Sequence, residues 1–352
     1  MVLEDIDFGI LQELADNPQT TDIVVTDTGR VWVDKGFGLQ EYNPRIPFDN
    51  PMILREYAVW LCAQLGKRLD DSCPIADASS PVGVRVHALI APIVLSGAAI
   101  SIRFPALKRY CLTELSSRGM FPIELSRILY LLVTQRANIL ITGSTGSGKT
   151  TLMKSLLASC DEKDRIVTVE ETRELGSLSK DHVSLATREA NVEGLGSVGL
   201  SDLVKATLRM RPDRIILGEC RGQEIADLLR VFTCGHKGGM TTLHADKVQK
   251  VPARLMSLGL LAGLEPSSLC ALAADAFDVV IHVERVNGMR IVKELGVLRS
   301  TDSGALEGVP ILRLKNCVNS NDSNFSAQIE ETSAWKNFAV KWHLPLNTGL
   351  FL

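Results

Sequence analysis

The sequence predicts an α/β protein of two domains. An N-terminal α+β domain spans residues 1–105, a linker 106–118, and a P-loop domain with a mostly parallel sheet 119–300; a polar tail, 301–352, follows. Three observations lead there. A glycine-rich loop at residues 143–151 stands between an apolar strand-like run and a helix-like run. From residue 122 onward helical and strand patterns alternate, as a parallel sheet requires. Before residue 105 short β-like runs dominate. A chain of 352 residues is long enough to bury two cores. With 45% hydrophobic but only 5% aromatic residues, those cores rest on Leu, Ile, Val and Ala.

The N-terminal elements begin with strands at 21–25 and 30–33 around the turn Asp27-Thr-Gly29. A helix follows at 51–65, with Ile53, Leu54, Tyr57, Ala58 and Leu61 at helical spacing. Strands at 83–90 and 98–104 complete the domain, and Pro105 with Lys108-Arg109 marks the linker. The second half reads helix 122–135, strand 138–142, helix 151–158, strand 165–170, helix 200–210, strand 213–217, helix 223–234 and strand 239–243. Helices to about residue 276 come next, then strand 278–284 and its hairpin partner 290–298, joined through Asn287-Gly288. Residues 301–352 are rich in Ser and Asn and read as a loosely attached tail with an edge strand at 309–314. No internal repeat is present.

A net charge of −3 gives no global attraction for nucleic acid, and no basic stripe with interleaved aromatics appears. The uncharged run from Val86 to Ile102 holds His87, Pro92 and Gly97 and is short for a bilayer span, so buried strands fit it better. No transmembrane segment is expected. Eight cysteines include no C-x-x-C pair, which argues against a tetracysteine zinc site. Scattered thiols without a signal peptide point to a reducing cytoplasm.

The glycine-rich loop comprises Gly143, Ser144, Thr145, Gly146, Ser147, Gly148, Lys149, Thr150 and Thr151. Glycines let successive N–H groups converge on an anion, and the helix that follows adds the positive end of its dipole. Lys149 can reach the β- and γ-phosphates and the Thr150 hydroxyl can ligate Mg²⁺, so the chain is expected to bind a nucleoside triphosphate. Residues 211–219 form an apolar strand ending in Glu219, where a Walker B acid faces Mg²⁺ and water. Residues 167–174 end in Glu170, Glu171 and Glu174, any of which could orient or deprotonate water. His236 and His244 flank a strand-like run, and a neutral imidazole near a γ-phosphate can donate a hydrogen bond. Arg188, Arg209, Arg211, Arg214 and Arg221 supply cations for developing phosphoryl charge.

In order, GSTGSGKT, IVTVEETREL, DRIILGE and GHKGGMTTLHA resemble the Walker A, Asp box, Walker B and His box of the secretion and traffic ATPases of type II secretion, type IV pili and conjugation. Residues 188–194, 202–205 and 208–214, with 67–70, 74–77, 83–90 and 101–103, are similar to the CpaF-type ATPases of tight-adherence (Flp) pilus assembly. The resemblance covers about residues 20–298, so the helical extension many relatives carry is not expected. It implies a sensor-like N-terminal domain, a RecA-like C-terminal domain, and a hydrolase that binds ATP and Mg²⁺ between them. It further implies a homo-oligomeric ring, a hexamer, lying peripherally on the cytoplasmic face of the inner membrane and working on a platform protein. By position, Glu174 matches the general base, Glu219 the acid that orders Mg²⁺ and water, and His244 the principal His-box residue with His236 as the other. Arg103 matches an N-terminal-domain arginine that reaches phosphate, and Arg188 and Arg209 are further candidates. Glu171 stands where Asp is usual, Arg173 where a small or apolar residue is usual, Cys220 for Val or Met, and Arg188-Glu-Ala-Asn for Arg-Pro-Pro-Asn. None removes a catalytic group. A conjugation-type ATPase with other cargo, or a non-hydrolysing nucleotide-gated scaffold, is the alternative.

Overall fold

The computed structural model describes residues 6–36, 38–105, 109–190, 195–317 and 326–348. It divides into two compact units, residues 1–107 with 172–176, and residues 108–171 with 177–352.

In the first unit a 3-10 turn, Gly9–Leu11, leads into α1 (Gln12–Ala15). The remaining elements are β1 (Asp22–Val25), β2 (Val31–Asp34), β3 (Leu39–Tyr42), α2 (Pro51–Gln64), β4 (Ile75–Ser79), β5 (Arg85–Ile90) and β6 (Ala98–Arg103). The strands form one antiparallel sheet in the order β3-β2-β1-β6-β5-β4. Burial alternates along β1, β2, β4, β5 and β6, so one face of the sheet builds the core. Helix α2 contributes Leu54, Tyr57, Ala58, Leu61 and Cys62 to that core. Its start is set locally: the Asn50 side chain accepts from the Met52 N–H at 2.9 Å and Pro51 takes the first helical position. Strands β3 and β4 are not expected from the sequence. Leu39, Gln40 and Glu41 of β3 are exposed, and β4 turns only Ala76 and Ala78 inward, so neither carries a strong apolar alternation.

The second unit opens with α3 (Leu112–Ser117), on residues expected to be linker, and α4 (Ile123–Thr134). Residues 106–108 of that linker lie outside the described residues. Then come β7 (Ile139–Thr142), α5 (Lys149–Leu157), β8 (Ile166–Glu170), β9 (His182–Ala186), α6 (Leu200–Thr207), β10 (Arg214–Leu217), α7 (Glu224–Thr233) and β11 (Met240–Leu243). Helices α8 (Val251–Leu261) and α9 (Pro266–Ala276) precede β12 (Val279–Val286), β13 (Met289–Ser300), β14 (Leu306–Cys317), β15 (Ser326–Glu331) and α10 (Trp335–Lys341). The sheet order is β15-β14-β13-β12-β7-β11-β10-β8-β9. From β12 to β9 the neighbours are parallel, and β13–β15 extend the sheet antiparallel. Strands β7, β8, β10 and β11 are buried at every position, as a sheet covered on both faces demands.

The polar tail is corrected. Residues 306–317 and 326–331 pair into the sheet, with Ile311, Leu312 and Leu314 buried, and α10 seats Trp335 at 1% exposure. The Ser- and Asn-rich stretch that makes the region read as polar is 318–325, outside the described residues.

Candidate active site

The register of the parallel strands gathers the chemistry at one end of the sheet. Thr142 pairs with Leu243, and Leu217 with both Thr241 and Val169. The residues that follow these strands therefore emerge together: Gly143 after β7, His244 after β11, Gly218 and Glu219 after β10, and Glu171 after β8. The carboxyl edge of an open α/β sheet is where ligands bind.

Gly143 (φ 152°) must be glycine, because a Cβ there would lie 2.2 Å from the Val283 carbonyl oxygen and 2.6 Å from Ser147 Oγ. Gly148, left-handed at φ 100°, caps α5. Ser144, Thr145 and Gly146 are exposed, Ser147 and Lys149 are buried, and Thr150 and Thr151 are half-buried. Lys149 Nζ folds into the loop, donating to the carbonyls of Gly143 and Ser144 at 2.9 Å each. Ser147 Oγ is buried and has no hydrogen-bond partner among the described residues. A cradle holding an ammonium group, a spare hydroxyl and a helix N-terminus fits an anionic phosphate chain.

Two strands from β7, Glu219 is half-buried and has two charged neighbours. Its Oε1 lies 2.7 Å from His244 Nε2 and its Oε2 2.7 Å from Arg221, whose other guanidinium nitrogen reaches Glu171 at 3.0 Å. Burial pushes the Glu219 carboxyl up, but the bond and charge of Arg221, with the charges of His244 and Lys149, outweigh it and hold the carboxyl below its ordinary value. Glu219 is thus ionised near neutral pH. His244 moves down from its ordinary value through burial and the Lys149 charge, although Glu219 opposes the shift. A neutral imidazole beside an ionised carboxylate and an ammonium can donate or accept a hydrogen bond without adding charge.

The other expected residues divide. Arg221, one of five arginines in the sequence cluster, is the one that engages Glu219. Arg188 is exposed beside Gly196 with its backbone paired to Val198, Arg209 is exposed just beyond α6, and residues 191–194 of the adjoining motif lie outside the described residues. Arg214 is corrected from phosphate contact to structure: it is 2% exposed and bonds Asp164 at 2.6 Å. His236 is corrected too. Strand β11 runs between it and His244, which puts His236 at the amino end of the sheet and only His244 at the carboxyl end. Glu174 belongs to the first unit, where it pairs with Arg85 at 2.8 Å. Arg103 ends β6 there, exposed and in register with Asp22 and Arg85.

Three half-buried or buried histidines, His182, His244 and His282, have pKa values pushed below the ordinary 6.5, in each case first by burial. The unfolded chain therefore binds more protons than the folded one in that range, and folding stability rises with pH. Their contribution is complete above about 6.5 and is lost as pH falls below it. The thermal midpoint is expected to drop toward acid over that window, and less steeply in His282→Asn, which does not titrate; equal slopes in the two proteins would remove His282 from the account.

A lysine seated inside a glycine loop, with an acid from two strands away close enough to feel its charge, places the second unit among the P-loop nucleotide-binding proteins. The profile of the type II/IV secretion system protein family matches residues 4–303, and the chain belongs to that family. It is 38% identical over 310 residues to a putative conjugal transfer protein of Mycobacterium tuberculosis, covering 86% of this chain and 87% of that protein. It is 30% identical over 299 residues to VirB11 of Agrobacterium fabrum, covering 76% and 86%. The ATPase DotB of Legionella pneumophila shares the fold at 20% identity and a TM-score of 0.54, over 86% of this chain and 78% of that one. No helix among the described residues is long and apolar enough to cross a membrane.

Proposed function

We propose that this chain is a Mg²⁺-dependent ATPase, assembled as a hexameric ring on the cytoplasmic face of the inner membrane. Hydrolysis-linked domain motion would act on a membrane platform protein during pilus assembly or protein secretion. The observation that supports this most directly is the charge cluster of Lys149, Glu219 and His244 at the carboxyl edge of the parallel sheet. Lys149 and the loop amides hold the β- and γ-phosphates. Glu219 orders the attacking water, Glu174 takes its proton, and His244 hydrogen-bonds the γ-phosphate edge. Thr150 and Glu219 are the residues that would hold Mg²⁺, which when bound neutralises phosphate charge. Arg103, Arg188 and Arg209 are the cations offered to the transferring phosphoryl group. The motifs at 67–70, 74–77 and 188–194 favour a tight-adherence pilus branch, whereas the 38% identity to a putative conjugal transfer protein favours a conjugation-type machine. Cargo differs between them; the chemistry does not.

The test is Mg²⁺-ATP hydrolysis by the purified protein beside Glu174→Gln, with the solution mass of each recorded. Turnover by an oligomer, lowered about 10²–10⁴-fold in the variant while ATP still binds, is expected if Glu174 is the base. A variant as active as the wild type removes Glu174 from that role. Binding without turnover, even with membranes added, turns the reading to a nucleotide-gated scaffold.

A further inference from the structure

The hairpin of β12 and β13 meets the end of β7 and the glycine loop that follows it at three points. At its root, Thr142 Oγ1 and His282 Nδ1 are 3.1 Å apart. Beside Gly143 runs the Val283 carbonyl. At its tip, Arg290 Nε donates to the Gly146 carbonyl at 3.1 Å. The Arg290 stem also fills the space over Gly148, where a Cβ would lie 3.0 Å from Arg290 Cδ. The hairpin turn that presents this arginine is fixed by its own backbone, Asn287 and Gly288 both being left-handed at φ 49° and 83°.

We propose that Arg290 is a positioning residue of the nucleotide site, a brace that holds the loop tip in its anion-binding orientation. A trans peptide points its C=O and N–H in opposite directions, so anchoring the Gly146 carbonyl outward on Arg290 turns the Ser147 N–H inward. That N–H makes a long bond, 3.3 Å, to the Ser144 carbonyl, which a phosphate oxygen at ordinary charge-assisted distance improves upon. Gly146 (φ 72°) has no side chain to bias its peptide, and a flipped peptide would face an anion with a carbonyl oxygen. A bias from outside the loop is therefore useful, and a guanidinium supplies both the donor and a positive charge. Neither the Walker motifs nor the arginine cluster around β10 includes this residue; the antiparallel hairpin brings it in from 144 positions away.

The inference rests on the P-loop binding nucleotide, so the experiment carries its own control. Mg²⁺-ATP affinity is measured by calorimetry for wild type, Arg290→Ala, Arg290→Lys and Lys149→Ala, with the thermal midpoint of each taken without nucleotide. Arg290→Ala is expected to weaken affinity about tenfold, the scale of one charge-assisted hydrogen bond. Arg290→Lys, which keeps a cationic donor, should recover most of it, with the nucleotide-free midpoints of both unchanged because the residue is exposed. Unchanged affinity in Arg290→Ala, with binding lost in Lys149→Ala, overturns the brace and spares the site. So does an equal loss in both Arg290 variants accompanied by a lower midpoint, which would mark a general structural role. Wild-type affinity in Lys149→Ala would bring down the site itself, and the brace with it.

Discussion

Replacing Lys149 by alanine is expected to lower ATP turnover by about 10²–10³-fold or more, the scale of removing one preorganised charge partner of a transition state. The physical case is local. Lys149 is 8% exposed, sits inside the loop on the Gly143 and Ser144 carbonyls, and is close enough to shift both Glu219 and His244. Its loss removes the proposed phosphate ligand and one cation holding Glu219 ionised, while relieving the pressure that keeps His244 neutral. Two readouts follow. Turnover collapses, and the His244 titration, followed by NMR, moves up. A His244 pKa that stays put would mean that the charge coupling across the sheet edge is negligible.

Asp164→Ala is expected to destabilise the second unit by about 3–5 kcal/mol. Asp164 and Arg214 are 3% and 2% exposed, and the carboxylate binds Arg214 Nε at 2.6 Å through one oxygen and Arg136 through the other. Arg214 also donates to the Val133 carbonyl at 3.1 Å. This network ties the end of α4 to the starts of β8 and β10. Deleting the carboxylate strands a buried guanidinium, which costs far more than the pair itself contributes. The paired variant Asp164→Leu with Arg214→Met leaves only the half-exposed Arg136 without its carboxylate and no buried charge stranded, so it should lose less than the single change. Urea unfolding midpoints decide it: a single-variant loss under about 1 kcal/mol would show that Arg214 finds water or another acceptor.

Most of the regular elements are legible in the sequence because their signals are local. The strands at β1, β2, β5 and β6, helix α2, and the alternation from α4 to β13 start and stop within a few residues of their predicted bounds. Apolar periodicity, Pro51 after Asn50, and the Asn287-Gly288 turn suffice for that. What escapes is what depends on pairing. β3 exposes most of its side chains, β9 is half-buried throughout, β14 outgrows the edge strand expected at 309–314 to become an interior strand, and β15 is a strand because β14 offers it a ladder. Average polarity misreads the last fifty residues because a Ser- and Asn-rich run masks the buried Ile311, Leu312, Leu314 and Trp335.

The site divides the same way. The glycine loop and its lysine are written contiguously, since a phosphate cradle is a single turn whose backbone must close on itself, and Glu219 is legible separately as the end of its own apolar run. Sequence alone determined that there is a P-loop, which residues form it, and which family the chain resembles. Only the tertiary structure decided among equivalent side chains. Strand direction sent His244 to the carboxyl edge, beside Glu219, and His236 to the other. Burial assigned Arg214 to Asp164, an exposed loop gave Arg221 to Glu219 and Glu171, and an antiparallel hairpin carried Arg290 onto Gly146. One arginine reads like another along a chain. Its role is fixed by which partner lies within about 3 Å once the sheet has set its register, and that distance is a property of the fold.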